Sequence, residues 1–517
     1  METSNAVAKD RGVESGAAGA QTGSIHFIPD RVLYPLYGLA LAVSISVWFI
    51  AIRAPLWLDE TVSYYLIKGG FSEIMPRQAW PNVPVYSYIL WLWTKIAGTG
   101  EISLRIPSIL AMLGAVYLLY KAARELFDRD VAMIAAVIFC LHPFVIFAAI
   151  DVRTYGFVSL ALTASILALV HLRHNNSNWL AALFGVSAAF TIYFHFLFGA
   201  ILPALAICFF VVKIGDRKNL WRQAVVALAA FAVAFLPIIP ELRYLLHTSG
   251  IHVFEEAPKL ADLGMTLAPG WLALIALGAI FIAAATLRLD VQSRIKDWRI
   301  LFCAALGFVP ILILYGISVW TPVHIFVFRY RLVALPGIAL CWALIVSRID
   351  SRAIRLLFCL AVVSMTAYAY YSSPVSRLHG YSWKYALEFV EKNASADGAP
   401  VLICSDLPEA DHMTMPVGEA VKDSPLFGPL SYYQVSVPVV ALPRTLNEQA
   451  VRIGSGFLQE AGPKQQRFLA VGFEPSVRIL QWLAYNASTT YYVHPLGVFD
   501  GITVLEFTPR NWAEAPH

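Results

Sequence analysis

Apolar residues in this chain come in runs long enough to cross a bilayer, and that pattern leaves few folds open. A membrane-spanning helix needs about 20 predominantly apolar residues. Eleven such spans are read, near residues 32–52, 106–120, 131–149, 156–171, 179–194, 196–212, 223–240, 264–287, 300–319, 332–347 and 354–371. The fifth and sixth form one long apolar hairpin that must be cut at Tyr193-Phe194-His195. Composition agrees: 58% of residues are hydrophobic and 14% charged, against roughly 45–50% and about 25% in soluble domains. The first 24 residues are polar, rich in Ala, Gly and Ser, and lack an apolar core. They read as a disordered tail (residues 1–30) rather than a cleaved signal peptide, so the first span serves as its own insertion signal.

Lysine and arginine orient the spans. With the N-terminus inside, the inner segments hold 18 of the 38 basic residues and the outer loops 10, five of these in the long first loop. The short inner loops are the more basic, which predicts a cytoplasmic N-terminus, a plasma (inner) membrane location and an outer, periplasmic tail over residues 372–517. That tail has 10 basic and 14 acidic residues, a net charge of −4 against +8 for the membrane part, with no sign of nucleic-acid binding. Cys140, Cys208, Cys303, Cys341 and Cys359 fall in spans and Cys404 stands alone outside, so no disulfide framework is implied.

Asp59 and Glu60 follow almost directly on the first span, at the head of an outer loop covering residues 53–105. The loop holds two stretches too short to span, residues 60–70 and 84–97, which read as helices in the headgroup plane. Tyr86, Tyr88, Trp91 and Trp93 suit that depth. The tail reads as a small α/β domain. Its helices are expected at Trp383–Lys392 and Val477–Tyr485, and its strands at Val401–Cys404, Val437–Ala441 and Phe468–Val471. A closing hairpin joins Thr489–Val493 to Ile502–Phe507.

The spans are nearly free of charge, which argues against an ion-coupled transporter or pump. Charges gather instead at the outer ends: Asp59, Glu60, Arg105, Asp151, Arg153, Glu241, Arg243, Asp262, Arg329 and Arg331, with His195 and His324 nearby. Headgroup contact explains any single arginine; as a set they suit a polyanion, because planar guanidinium groups grip phosphate in two-pronged fashion. Phosphate at the interface over apolar walls is what a lipid-linked phosphate substrate requires.

Seven motifs then appear in a recognisable order: Trp57-Leu-Asp-Glu60, Pro84-Val-Tyr86, Ser103-Leu-Arg-Ile-Pro107, Leu126-Phe-Asp128, His142-Pro-Phe144, Asp151-Val-Arg-Thr-Tyr155 and Arg329-Tyr-Arg-Leu-Val-Ala-Leu-Pro336. Over residues 30–350 the chain resembles polyprenol-phosphate-sugar glycosyltransferases of the GT-C superfold. Within them it is most similar to bacterial relatives of the protein O-mannosyltransferases and of the lipid A aminoarabinose transferase. The resemblance implies a polytopic helical catalytic domain (residues 31–371) with the C-terminal α/β domain appended. Two motifs depart from the family. Where it often has His-Pro-Pro-Leu-Tyr this chain has Pro81-Asn-Val-Pro-Val-Tyr86, with Asn82 near the place of the histidine. Asp151 stands where the family has Glu.

Such a transfer needs a base for the acceptor hydroxyl, cations for the departing phosphate and a dry path for the lipid. Asp59 is the expected base, with Glu60 orienting the acceptor or the loop, or only satisfying local hydrogen bonds. Arg105, Arg153, Arg329 and Arg331 are the phosphate candidates, with Tyr155 as donor or interface anchor. Asp151, His195, Asn82 and Tyr86 are candidate substrate contacts, His195 doubling as a structural residue at a helix end. No cofactor is required; a divalent metal near Asp59, Glu60 and Asp151 is allowed but not implied. The expected activity is inverting sugar transfer from a polyprenyl-phosphate-linked donor to an envelope glycolipid, lipopolysaccharide or other glycan. A lipid or sugar flippase, a non-catalytic assembly partner, a polymerase or ligase using pyrophosphate-linked glycans, and a protein O-mannosyltransferase-like enzyme are the alternatives.

Overall fold

A computed structural model describes residues 28–77, 85–214, 216–240, 242–243, 257–267, 278, 297–349, 351–372 and 382–511. Asn82 and most of the expected span 264–287 lie outside them. Seven helices are long and apolar enough to cross a membrane: Asp30–Ala51, Glu101–Leu126, Tyr155–His174, Lys218–Ile238, Trp298–Trp320, Phe328–Val346 and Arg352–Ser372. Arg129–Leu141 and Pro143–Ile150 make an eighth if counted as one span bent by 69°. Asn178–Phe194 and Phe196–Val212 are apolar but shorter. The eleven expected spans therefore stand at seven or eight among the described residues. The apolar hairpin breaks at His195, where the backbone becomes extended, as its sequence suggests.

Two local features aim the membrane part at its site. Pro143 has no N–H to continue a helix, and the residue before a proline is pushed to extended backbone. His142 adopts that conformation, and its Nδ1 accepts the Phe144 N–H at 3.2 Å. The resulting bend makes Pro143–Ile150 a separate helix that ends at Asp151. Small residues then let helices close up, as in other membrane bundles. A Cβ on Gly156 would lie 2.5 Å from the Ser108 carbonyl oxygen, so Tyr155–His174 runs almost in backbone contact with Glu101–Leu126.

In the C-terminal domain, β1 (Val401–Cys404), β2 (Val439–Leu442), β3 (Phe468–Gly472), β4 (Tyr491–Phe499) and β5 (Ile502–Pro509) form one sheet in the order β2-β1-β3-β5-β4. β1 is parallel to both neighbours, with Ile403 opposite Ala441 and Val471, and β5 returns antiparallel along β3. Every residue of β1 and β3 is buried, as strands covered on both faces must be. Asp500 and Gly501 turn the β4–β5 hairpin, both at positive φ, the backbone that a tight hairpin demands.

The first outer loop differs from expectation in one respect. Val85–Ala97 exposes Leu92 and Ile96, as an interfacial helix does. Leu58–Ile67 does not lie open in the headgroup plane: eight of its ten residues are buried. Leu58 and Val62 join the core of the C-terminal domain, while Tyr65, Leu66 and Ile67 join that of the bundle. The helix is sandwiched between the two because its apolar residues point to both sides.

Candidate active site

The chain turns from its first span into Leu58–Ile67, whose first turn carries Asp59 and Glu60. Carboxylates suit a helix N-terminus, where backbone N–H groups lack intrahelical partners. The two neighbours face different ways. The Glu60 side chain is 0% exposed, whereas Asp59 keeps 14% of its side chain open.

Glu60 fastens the loop. Its carboxylate accepts from Arg105 Nε at 2.9 Å and Nη2 at 2.6 Å, and from the backbone N–H groups of Trp57 (3.2 Å) and Val152 (3.1 Å). Burial pushes the Glu60 carboxyl above its usual range while the Arg105 guanidinium pulls the other way. Arg105 also donates through Nη1 to the carbonyls of Ile52 and Ala54, at 2.7 Å each, and through Nη2 to Pro55 at 3.2 Å. A guanidinium has five N–H donors, and here each has a partner inside the protein. Arg105, expected to hold phosphate, is instead a fully buried bracket tying residues 52–55 to Glu60.

Asp59 is the more open of the two carboxylates. Its Oδ2 accepts from Arg329 Nη1 at 2.9 Å and lies 3.8 Å from Arg153 Nη2. Both arginines stay partly open, at 15% and 23% of side-chain surface. Arg329 Nε is buried without a hydrogen-bond partner among the described residues. The pair therefore has donors to spare for a second anion. Arg331, two residues on, turns away: Nε and Nη2 donate to the Phe326 carbonyl and Nη1 to Asp262 O and Thr266 Oγ1. Its guanidinium also packs 4.1 Å from the Phe326 ring. It too is a brace of the fold, contrary to expectation.

Behind Asp59 sits a polar layer. Asp151 is fully buried; its Oδ1 accepts from Trp57 Nε1 at 3.0 Å and its Oδ2 has no hydrogen-bond partner among the described residues. Burial, and then the Glu60 charge, lift its carboxyl well above the usual range, which favours the neutral acid. The Arg153 carbonyl is held by Ser108 Oγ at 3.1 Å. Among the described residues the buried hydroxyls of Tyr86 and Tyr155 have no hydrogen-bond partner. His195 packs 4.8 Å from the Tyr330 ring and caps Leu197 N through Nδ1. Burial, then the charges of Arg153 and Arg329, lower its pKa to about 3, so the ring is neutral. His324, by contrast, is occupied with the Ser318 carbonyl at 2.7 Å.

Two site residues escape a reading of the sequence alone. Trp57 opens the Asp-Glu motif, yet only the structure reveals its indole on Asp151. Asp406, just past β1, lines a crevice with Trp383, Phe427 and Leu58. Burial raises its pKa to about 7, Trp383 and Arg444 oppose the rise, and Asp59 adds to it. Among the described residues no group of three or more His, Cys, Asp and Glu side chains is placed to hold a metal ion.

Comparison with known proteins bears on the fold and on one segment of the chain. A model of the dolichyl-phosphate-mannose-protein mannosyltransferase family matches residues 79–244. The fold is similar to that of ArnT from Cupriavidus metallidurans, solved bound to undecaprenyl phosphate. That pair has a TM-score of 0.54 and 13% identity over 93% of this chain and 98% of that one. The fold is also similar to that of the oligosaccharyltransferase AglB from Archaeoglobus fulgidus, solved with an inhibitory peptide and a dolichol-phosphate. There the TM-score is 0.51 and the identity 15%, over 94% of this chain and 75% of that one. No curated protein sequence matches. Fold and matched segment define the class, a GT-C type helical membrane protein with a small C-terminal sheet domain. They indicate glycosyltransferase activity.

Proposed function

We propose that the chain moves a sugar from a polyprenyl-phosphate-linked donor to a hydroxyl of an envelope glycolipid, lipopolysaccharide or other glycan, with inversion at the anomeric carbon. The reaction takes place on the outer face of the membrane. One observation carries the reading: a partly open carboxylate, Asp59, paired with two partly open guanidiniums beside the ends of apolar helices. The acceptor oxygen attacks the anomeric carbon, the bond from that carbon to the phosphate oxygen breaks, and Asp59 takes the hydroxyl proton. Arg153 and Arg329 meet the charge that grows on the leaving phosphate, where preorganised donors act most strongly. A phosphate between them also draws them from Asp59, leaving that carboxylate to face the acceptor. Asp151, buried behind Trp57, supports the Arg153 turn through its backbone carbonyl, which accepts the Arg153 N–H at 2.7 Å.

The test compares envelope lipids and glycans by mass spectrometry in cells carrying the wild type or Asp59→Asn. General-base assistance is worth about 10²–10⁴-fold, so the variant should insert normally and leave a glycan short of one sugar while its polyprenyl-phosphate donor accumulates. Unchanged glycans with a well-expressed variant remove Asp59 as base. Arg153→Ala should weaken donor use more than acceptor use; a rise in acceptor KM alone contradicts its phosphate role.

A further inference from the structure

We propose that the C-terminal domain is a working part of the catalytic frame, and that Tyr433 is the positioning residue through which it holds the Asp59 turn. The inference rests on the reading of Asp59 as the base. The short helix Gly428–Tyr432 lies on Leu58–Ile67 so closely that a Cβ on Gly428 would sit 3.0 Å from atoms of both Thr61 and Val62. Tyr433, which follows it, reaches across. Its hydroxyl oxygen accepts the Leu56 N–H at 2.7 Å, and its proton goes to Glu101 Oε1 at 2.9 Å. Lys384, on the helix Trp383–Ala394 of the same domain, donates to that Glu101 oxygen at 3.2 Å.

The placement of these bonds matters more than their number. Leu56 stands three residues before Asp59, in the stretch whose carbonyls Ile52, Ala54 and Pro55 are gathered by Arg105. Glu101 opens the helix Glu101–Leu126, one turn ahead of Arg105. Tyr433 therefore joins from the outside the two segments that the Glu60–Arg105 pair joins from the inside, and the Asp59 turn is set between the two fastenings. Neighbouring contacts fix the same register: Tyr432 Oη donates to Thr99 O at 2.9 Å, and Lys68 and Arg77 both pair with Asp423. A domain that only covered the site would have no reason to bond the backbone of the catalytic turn.

The experiment uses the full chain in membranes. Tyr433→Phe removes the hydroxyl and keeps the ring. The variant should accumulate, melt close to the wild type and bind undecaprenyl phosphate with unchanged Kd, while cells modify their glycan about 10- to 100-fold more slowly, the scale of a catalytic group misplaced by up to an ångström. Hydrogen exchange over residues 52–60 should quicken while the sheet peptides stay protected. Glu101→Gln leaves only a neutral amide oxygen to receive the Tyr433 proton and removes the charge that Lys384 pairs with, and should slow modification in the same direction. The double variant should lose little more than either single one, as coupled residues do. Wild-type modification rates in both single variants, or unchanged exchange over residues 52–60 in Tyr433→Phe, overturn the inference. If Tyr433→Phe fails to accumulate, Glu101→Gln decides by the same readouts. Asp59→Asn is run alongside. Active Asp59→Asn means that the base reading itself fails and the proposal falls with it. Dead Asp59→Asn beside fully active Tyr433→Phe and Glu101→Gln removes only the role of Tyr433.

Discussion

Arg105→Met separates a bracket from a phosphate ligand. The substitution keeps an apolar stem and removes the guanidinium, leaving the Glu60 carboxylate with two backbone N–H donors and no cation, in a place where both side chains are 0% exposed. Removing one partner of a buried ion pair costs about 3–5 kcal/mol. Three carbonyls, those of Ile52, Ala54 and Pro55, also lose their side-chain donor, which adds to the cost, so the stranded carboxylate sets the lower end of the scale. A loss of about 3–5 kcal/mol is a large part of the about 5–15 kcal/mol that holds an ordinary domain folded. The double variant Glu60→Gln with Arg105→Met removes both charges together and should be the more stable of the two. The assay is thermal unfolding in nanodiscs, with undecaprenyl phosphate binding measured on the folded fraction. Folded Arg105→Met protein should still bind the lipid phosphate through Arg153 and Arg329. A variant with the wild-type melting midpoint and no lipid-phosphate affinity refutes the bracket and returns Arg105 to the phosphate.

Asp406 predicts a dependence on pH. Its folded pKa, pushed up to about 7 by burial, lies above the about 3.9 of an unfolded chain, so the native state binds the proton more tightly. Stability is then highest in acid and falls as pH rises between about 4 and about 7. Asp406→Asn should flatten that fall; midpoints of variant and wild type that run parallel from pH 5 to 8 contradict it. Gly156→Ala should force apart the helices that carry Arg105 and Tyr155, since the new methyl would meet the Ser108 carbonyl. Overpacking of this kind costs about 1–3 kcal/mol and should slow glycan modification; an unchanged midpoint and rate show that the helices have room.

The parts of the molecule dictated by local physics are legible in the sequence. A bilayer demands about 20 apolar residues per span, so the long runs at residues 30–51, 101–126 and 298–320 declare themselves. β1 and β3 read as buried strands because all their side chains are apolar. β2 starts two residues later than its apolar run, at Val439, just past Pro438, which has no N–H for the ladder. The helix Glu448–Lys464 is hidden by Gly454, Gly456, Gly462 and Pro463, all poor helix formers. Gly454 is there for a tertiary reason, because a Cβ would lie 2.6 Å from the Trp482 ring.

In the site the boundary falls elsewhere. Asp59 and Glu60 are chemically alike and adjacent, and successive side chains on a helix point about 100° apart. One is buried in the frame and the other stays partly open, and which is which depends on where Arg105 arrives from. The same holds among the arginines. Arg105, Arg153, Arg329 and Arg331 all lie near the ends of apolar helices, and nothing local distinguishes the two whose donors are spent bracing the fold from the two that pair with Asp59 and stay partly open. What separates them is partners distant along the chain, and Tyr433 is the extreme case, bonding a residue 377 positions earlier. Sequence patterns therefore identify which charged residues gather near the site, while the division between those that stay partly open and those that brace the fold is made by the packing of the C-terminal domain and the bundle around one helix of ten residues.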